Sequence, residues 1–159
     1  MSVRIGQKVP DFSLPDAERN VRSLGEFVQQ GSVLLVFFPF AFSGTCDKEM
    51  CTFRDSSGAI QDLSMTVVGV SVDSSYSLKA FAQTYNLSFT LLSDFNKKVS
   101  KLYGVLQDPW TGLGYRGVAK RAAFLVDRRF ILRYKWMTDT PSEEPPYVEI
   151  MKAAQKLLT

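Results

Sequence analysis

Two cysteines, the only ones in the 159 residues, lie close together in the stretch FPFAFSGTCDKEMCTFRD. Four residues separate Cys46 from Cys51, and an apolar run followed by Ser-Gly-Thr leads into Cys46. This pattern predicts a buried strand that turns into a helix, with Ser43 or Thr45 as the helix cap. Unpaired N–H groups in the first turn of a helix stabilise an anion, so a thiol there is expected to have a lowered pKa and to be reactive. The alternative is that Cys46 is a small apolar residue of the core.

The chain contains no histidine, which excludes several kinds of cysteine chemistry. A Cys-His nucleophilic dyad and a Cys-His zinc site cannot form, and two cysteines alone cannot fill a four-coordinate zinc site. A thiolate in this chain must therefore be stabilised by a helix N-terminus, by a hydrogen-bond donor, or by an arginine or lysine. We expect neither a metal nor another cofactor.

Length and composition are typical of one globular domain, which we place at residues 1–159, with 45% hydrophobic and 22% charged residues. The net charge of +3 is spread along the chain without an aromatic and basic stripe, so nucleic-acid binding is not expected. The longest apolar stretch, VLLVFFPFAF, is too short to span a bilayer and is interrupted by Pro39. The N-terminus lacks the apolar segment of a signal peptide, which predicts a cytoplasmic protein.

The remaining pattern alternates apolar strands with amphipathic helices, and this order predicts an α/β protein with a mixed sheet covered on both faces. Ser23, Ser74 or Ser75, and Asn96 are the predicted caps of three helices. A break in the cysteine-bearing helix is expected at residues 56–58. The predicted strands and strand pairs are a hairpin around PDAERN, then SVLLVFFPF, TVVGVSVD and FTLLSD, and a second hairpin formed by AAFLVD and FILRYKWM. The segment LQDPWTGLGYRGVAKR is expected to be irregular, and PYVEIMKAAQKLL is expected to be the last helix.

At the first strand–helix junction the sequence resembles the peroxiredoxins, whose signature is Pro-x-x-x-Thr/Ser-x-x-Cys. Pro39, Ser43 and Cys46 match it in PFAFSGTC. The segments KVPDFSLPDA, VVGVSVDS and AKRAAFLVDRRFILRY are also similar to family segments, in the same order, and Arg121 aligns with the arginine of the family's active site. The resemblance implies a thioredoxin-like fold, with a mixed central β-sheet flanked by helices and an N-terminal β-hairpin.

The resemblance also implies a role for each matched residue. Cys46 would be the peroxidatic cysteine, which attacks the peroxide as a thiolate and becomes a sulfenic acid. Arg121 would keep Cys46 deprotonated, Ser43 would bind the peroxide, and Pro39 would shield the pocket from water. Ser43 stands where the family more often has threonine; the hydroxyl is kept, but the methyl group that fixes its rotamer is not.

Cys51, together with Glu49 in CDKEMC, resembles the peroxiredoxin Q (bacterioferritin-comigratory) branch, in which a second cysteine resolves the sulfenic acid as an intramolecular disulfide. A thioredoxin-like or glutaredoxin-like dithiol would then reduce that disulfide. Three alternatives remain open: a one-cysteine peroxiredoxin in which Cys51 only packs, a redox-sensing thiol module, and a purely structural domain. A thioredoxin-type reductase would need C-x-x-C instead of the C-x4-C spacing found here.

The sequence leaves several properties of such an enzyme undecided. It does not distinguish hydrogen peroxide from organic hydroperoxides, or a monomer from a homodimer. Phe40, Phe42 and Trp110 would favour bulky substrates if they line the site, but they are equally compatible with a core or a dimer surface.

The spacing of the two cysteines has a conformational consequence. Five positions apart in a regular α-helix, two Cα atoms are roughly 8–9 Å apart, whereas a disulfide requires about 4.4–6.8 Å. If Cys46 and Cys51 lie in one helix when reduced, residues 47–50 must unwind before the disulfide can form.

Overall fold

A computed structural model describes residues 3–109 and 113–158. Six helices and nine strands are defined within these ranges, and the same labels are used throughout. The helices are α1 (Leu24–Val28), α2 (Thr45–Asp55), α3 (Ser57–Asp62), α4 (Ser75–Tyr85), α5 (Lys98–Leu102) and α6 (Tyr147–Lys156). The strands are β1 (Ser13–Pro15), β2 (Val21–Ser23), β3 (Ser32–Phe37), β4 (Met65–Ser71), β5 (Thr90–Ser93), β6 (Leu106–Gln107), β7 (Val118–Ala119), β8 (Ala122–Val126) and β9 (Leu132–Met137).

Five of these strands form a mixed central sheet in the order β5-β4-β3-β8-β9. Strand β3 runs parallel to β4, and β4 runs parallel to β5, while β8 is antiparallel to both β3 and β9. All six residues of β3 are buried, as expected for a central strand covered on both faces. The predicted mixed sheet, the N-terminal hairpin of β1 and β2, and the β8–β9 hairpin are confirmed.

The two faces of the sheet contact different hydrophobic clusters, because side chains along β3 alternate between them. Leu35 and Phe37 point to the side of α1 and α5, where Phe12, Tyr103 and Phe124 also pack. Leu34 and Val36 point to the opposite side, which is covered by residues of α2, α3, α4 and α6. Cys46 belongs to this second cluster, so the cysteine-bearing helix α2 is packed directly on the sheet.

The helix starts agree only in part with the predicted caps. Ser23 and Ser74 are confirmed as N-caps, since their side chains accept hydrogen bonds from the backbone N–H groups of the residues three positions later. The prediction for α2 is wrong: its N-cap is Gly44, at φ +71°, without a side-chain hydrogen bond. Glycine occupies this left-handed region without the steric cost that a side chain brings. Ser43 is thereby left outside the helix.

The predicted cap of α5 is also wrong. Lys97, not Asn96, occupies the N-cap position and makes no side-chain capping bond. The buried carboxylate of Asp94 accepts hydrogen bonds from the N–H groups of Val99 and Ser100 instead, at 3.1 and 2.7 Å. A carboxylate at the start of a helix serves the same purpose as a cap, because it satisfies unpaired N–H groups and interacts favourably with the helix dipole.

The segment predicted to be irregular contains a short antiparallel pair, β6 with β7, in which Leu106 faces Ala119 and Gln107 faces Val118. Trp110, considered above as a pocket residue, lies outside the described residues. Among the helices within 3–109 and 113–158, none is long and apolar enough to cross a membrane.

Candidate active site

The sheet topology brings Arg121 next to Cys46, although the two residues are 75 positions apart. Strand β3 ends at Phe37, and the following loop leads into α2, where Cys46 is the second residue. Strand β8 is antiparallel to β3 and begins opposite its end, with Ala122 paired to Phe37. Because Arg121 immediately precedes β8, its side chain starts from the edge of the sheet at which α2 begins.

The guanidinium of Arg121 is buried and is held by three acceptors. Nη1 donates to Cys46 Sγ at 3.2 Å and to Glu49 Oε1 at 2.8 Å, and Nη2 donates to the carbonyl oxygen of Pro141 at 2.7 Å. A planar guanidinium fixed in this way presents its N–H groups in a constant geometry. The site therefore holds a permanent positive charge against the sulfur of Cys46.

Glu49 lies one helical turn after Cys46 and shares Nη1 of Arg121 with it. Its side chain is completely buried, and its second oxygen, Oε2, has no hydrogen-bond partner among the residues that the structure describes. Burial raises the pKa of Glu49 to about 7, against the lowering effect of the Arg121 charge, while the negative charge of Glu144 adds to the rise. Near neutral pH, therefore, Glu49 exists both with and without its proton, and Arg121 is not always neutralised by it.

The pKa of the Cys46 thiol is governed by two opposing effects. Burial raises it, whereas the charge of Arg121, followed by hydrogen bonds from the Ser43 side chain and the Phe40 backbone, lowers it. The net direction is upward, which corrects the expectation of a lowered value. The reason is that the helix start carrying Cys46 is buried in the core instead of open to water, so the thiolate loses solvation. Arg121 provides the largest opposing contribution.

Ser43 lies at the surface immediately before the buried sulfur. Its hydroxyl donates to the carbonyl oxygen of Phe40 at 2.7 Å and also lies near enough to the sulfur of Cys46 to lower the pKa of the thiol. Phe42 and Gly44, on either side of it, both have positive φ angles, +66° and +71°. Pro39 is buried at the start of the same loop. The loop thus places Ser43 next to Cys46, and Cys46 lies with Glu49 beside Arg121.

Cys51 is not part of this cluster. It lies further along α2, partly exposed, and both thiols are free. The prediction that both cysteines occupy one helix in the reduced state is confirmed, because α2 runs without interruption from Thr45 to Asp55. The predicted helix break follows at Ser56.

Aromatic side chains surround the mouth of the site. Phe40 packs edge-to-face on Tyr115, with 5.7 Å between the ring centroids, and Phe42, half exposed, packs on Phe81 of α4 at 5.2 Å. Phe40 and Phe42 therefore lie in the loop that carries Ser43, and neither belongs to the two hydrophobic clusters of the core.

Two hydrogen bonds at the site were not predicted from the sequence. Asp73, just after β4, accepts a hydrogen bond from the backbone N–H of Ala41 in the active-site loop at 2.8 Å. Tyr85, the last residue of α4, donates from its hydroxyl to Asp47 of α2 at 2.6 Å. The first was detectable in principle, because a polar residue after a strand parallel to β3 must lie at the same edge of the sheet. The second joins residues 38 positions apart and has no sequence signal.

Comparison with known proteins is consistent with this site. A family model described as the AhpC/TSA family matches residues 5–135. The chain belongs to the AhpC/TSA family. It is 38% identical over 137 residues to the bcp peroxiredoxin of Coxiella burnetii, covering 86% of this chain and 89% of that protein. It is 34% identical over 137 residues to alkyl hydroperoxide reductase E of Mycobacterium tuberculosis, covering 85% and 86%.

The structural comparison agrees with the sequence matches. The crystal structure of peroxidoxin BcpB from Mycobacterium tuberculosis superposes with a TM-score of 0.85 at 27% identity, covering 98% of this chain and 97% of the other. The resemblance to the bacterioferritin-comigratory branch and the thioredoxin-like fold are thereby confirmed. This AhpC/TSA protein is a peroxiredoxin, a thiol-dependent peroxidase, and members of the family use peroxides and thioredoxin-type reductants. Among the described residues of this peroxiredoxin, no group of acidic and cysteine side chains is placed to hold a metal ion.

Proposed function

We propose that Cys46 is the peroxidatic cysteine of this peroxidase, assisted by Arg121 and Ser43, and that Cys51 resolves its oxidised form. The observation that carries the proposal is the hydrogen bond of 3.2 Å from Arg121 Nη1 to Cys46 Sγ inside a buried site. A buried thiolate needs a compensating charge, and Arg121 is the first of the groups that favour it.

In the proposed first step, the Cys46 thiolate attacks the terminal oxygen of the hydroperoxide. The S–O bond forms as the O–O bond breaks, and the leaving oxygen takes up a proton and departs as water or an alcohol. Cys46 is left as a sulfenic acid, so sulfur is oxidised by two electrons and the peroxide is reduced by two. The N–H groups of Arg121 stabilise the negative charge that develops on the leaving oxygen, Ser43 orients the peroxide, and Pro39 shields the sulfur from bulk water.

In the second step, the Cys51 sulfur attacks the Cys46 sulfenic acid, forming the disulfide and releasing water. Residues 47–50 must unwind for this, because both cysteines lie in the continuous helix α2. The N-cap of helix α2 is Gly44, which offers no side-chain hydrogen bond, so the first turn of α2 is easier to open than that of a capped helix. An external dithiol of the thioredoxin or glutaredoxin type then reduces the disulfide by two electrons.

We propose that both hydrogen peroxide and organic hydroperoxides are substrates. Hydrogen peroxide needs only the polar groups around Cys46. The alkyl part of a larger hydroperoxide would lie against Phe42 and Tyr115, which are about half exposed at the rim of the site. The name of the mycobacterial relative, alkyl hydroperoxide reductase E, describes that protein and is consistent with an organic substrate. A cytoplasmic location, one domain over 1–159, and a monomer or homodimer remain predictions.

The roles of the two cysteines are tested with single variants and one equivalent of peroxide. In the unmodified protein, mass spectrometry should detect an intramolecular disulfide and no adduct with dimedone, a reagent for sulfenic acids. Cys51→Ser should give the dimedone adduct on Cys46, and excess peroxide should convert Cys46 to sulfinic acid. Normal turnover of Cys51→Ser with a dithiol reductant would contradict the resolving role and support the one-cysteine alternative.

A further inference from the structure

Asp73 lies at the carboxyl end of β4, next to the active-site loop, and has no role in the steps described so far. We propose that Asp73 is a positioning residue of the peroxidase: it fixes the Phe40–Ala41 peptide, which in turn sets the orientation of the Ser43 hydroxyl. This inference rests on the proposed role of Ser43 in binding the peroxide.

The carboxylate of Asp73 is itself firmly held. Its Oδ2 accepts from the Ala41 N–H at 2.8 Å and from the Ser71 hydroxyl at 2.7 Å. Ser71 is buried in β4, and the Asp73 carbonyl accepts from the hydroxyl of Ser93, at the end of the neighbouring β5, at 2.6 Å. Two strands of the central sheet therefore fix the position of Oδ2, and through it one N–H group of the active-site loop.

That N–H group belongs to the same peptide unit as the acceptor of the Ser43 hydroxyl. A trans peptide is planar, so the Ala41 N–H and the Phe40 C=O point in opposite directions and rotate together. Asp73 holds one end of the unit, and Ser43 Oγ donates to the other end, the Phe40 oxygen, at 2.7 Å. A rotation of this peptide would break both hydrogen bonds at once.

The direction of the Ser43 hydroxyl matters because it has one proton and two acceptors within reach, the Phe40 carbonyl and Cys46 Sγ. When the proton is donated to Phe40, the electron pairs of Cys46 Sγ are free to attack, and Ser43 Oγ is free to accept the O–H of the peroxide. When it is donated to the sulfur, the nucleophile is weakened. The Phe40 carbonyl, as placed by Asp73, favours the reactive arrangement.

The loop also needs an external anchor, because its own conformation is strained. Phe42 has φ +66°, a region that is sterically unfavourable for a residue with a side chain. Without the hydrogen bond to Asp73, Phe42 is free to relax toward negative φ, which would move Ser43. Arg121 approaches Cys46 from β8, on the other side, and would not be affected.

The proposal predicts separate effects on peroxide reduction and on thiol ionisation. Asp73→Ala should lower the second-order rate constant for oxidation of Cys46 by hydrogen peroxide about ten- to a hundredfold, the effect expected of a displaced positioning group. The rate of Cys46 alkylation by iodoacetamide, which depends on thiolate formation and hence first on the charge of Arg121, should stay within about twofold of that of the unmodified protein at each pH. Asp73→Asn should keep most of the peroxide rate, because its amide oxygen still accepts from the Ala41 N–H.

A double variant shows whether Asp73 acts through Ser43. In a Ser43→Ala background, Asp73→Ala should cause no further loss of peroxide rate, since the hydroxyl to be oriented is already absent. The matched control is Asp94→Ala, which also removes a buried carboxylate that binds backbone N–H groups at this edge of the sheet, but at α5. It should lower stability without changing the peroxide rate. If Asp73→Ala does not fold, Ser71→Ala, which removes the second hydrogen bond to Oδ2, should reduce the rate severalfold in the unmodified background only.

Two outcomes separate failure of this inference from failure of the function on which it rests. The role of Asp73 would be overturned, and that of Ser43 left intact, if peroxide reduction were slow in Ser43→Ala but normal in Asp73→Ala. Additive losses of the peroxide rate in the double variant would have the same meaning. A Ser43→Ala variant with the normal peroxide rate would overturn the proposed role of Ser43, and the inference about Asp73 with it.

Discussion

The buried carboxyl group of Glu49 should make the stability of the protein depend on pH in the neutral range. Its pKa is raised by burial from 4.5 to about 7. Between these values the folded protein keeps a proton that the unfolded chain has released, so the free energy of unfolding falls as the pH rises. At about 1.4 kcal/mol per pH unit, the difference between the two values corresponds to about 3 kcal/mol between pH 4.5 and 7. Below pH 4.5 and above pH 7 the contribution of Glu49 no longer changes.

Glu49→Gln removes the titrating group with little change of shape and isolates its contribution. The free energy of unfolding is measured by urea titration with tryptophan fluorescence at pH 5 and at pH 8. The decrease from pH 5 to pH 8 should be about 3 kcal/mol smaller in Glu49→Gln than in the unmodified protein. The pKa of Asp73 is also raised by burial, which acts in the same direction, but that contribution is common to both proteins. Glu18→Gln, at an exposed glutamate, is the control and should reproduce the unmodified pH dependence. An unchanged pH dependence in Glu49→Gln would refute the reasoning.

Two further variants test the contacts around α2. Arg121→Met should raise the pKa of Cys46, because only weaker groups then oppose the effect of burial. The same variant should slow peroxide reduction by about 10²–10³-fold. Arg128→Met and Arg129→Met, at exposed positions, should leave the rate unchanged. Equal losses in all three would mean that the site arginine is misassigned. Tyr85→Phe removes the hydroxyl that donates a hydrogen bond to Asp47. Because the start of α2 then opens more easily, amide exchange at residues 47–51 should accelerate up to about tenfold. Disulfide formation should also be faster, and less Cys46 sulfinic acid should accumulate. Unchanged exchange would show that this hydrogen bond does not hold the helix closed.

The sequence was sufficient to predict the order of the helices and of the strands other than β6 and β7, because the central strands are apolar throughout and the helices carry regular apolar faces. It also predicted that Cys46 follows a buried strand and begins a helix, which is a local property of the chain. The approach of Arg121 to Cys46 was inferred from family resemblance alone. Its physical basis, the antiparallel pairing of Ala122 with Phe37, depends on contacts between distant segments.

The incorrect predictions share a physical cause. The helix caps at Ser43 or Thr45 and at Asn96 were assigned from local residue preferences, whereas in the structure Gly44 is the N-cap of α2 and the buried carboxylate of Asp94 binds the first N–H groups of α5. The pKa of Cys46 was expected to fall because of its position in the helix, but it is raised by the burial of that helix start against the sheet. Burial of a side chain is a property of the tertiary structure, which no local pattern specifies.

The central claim is that Cys46 in its pocket reacts with peroxide far faster than an ordinary thiol. The most direct test is the second-order rate constant for the reaction of the reduced Cys51→Ser variant with hydrogen peroxide, measured by stopped-flow fluorescence at pH 7 beside free cysteine, with Cys46→Ser as the control. The account predicts a rate constant at least about a hundredfold above that of free cysteine, and loss of this fast reaction in Cys46→Ser. A rate equal to that of free cysteine, or a fast reaction that persists in Cys46→Ser, would contradict it.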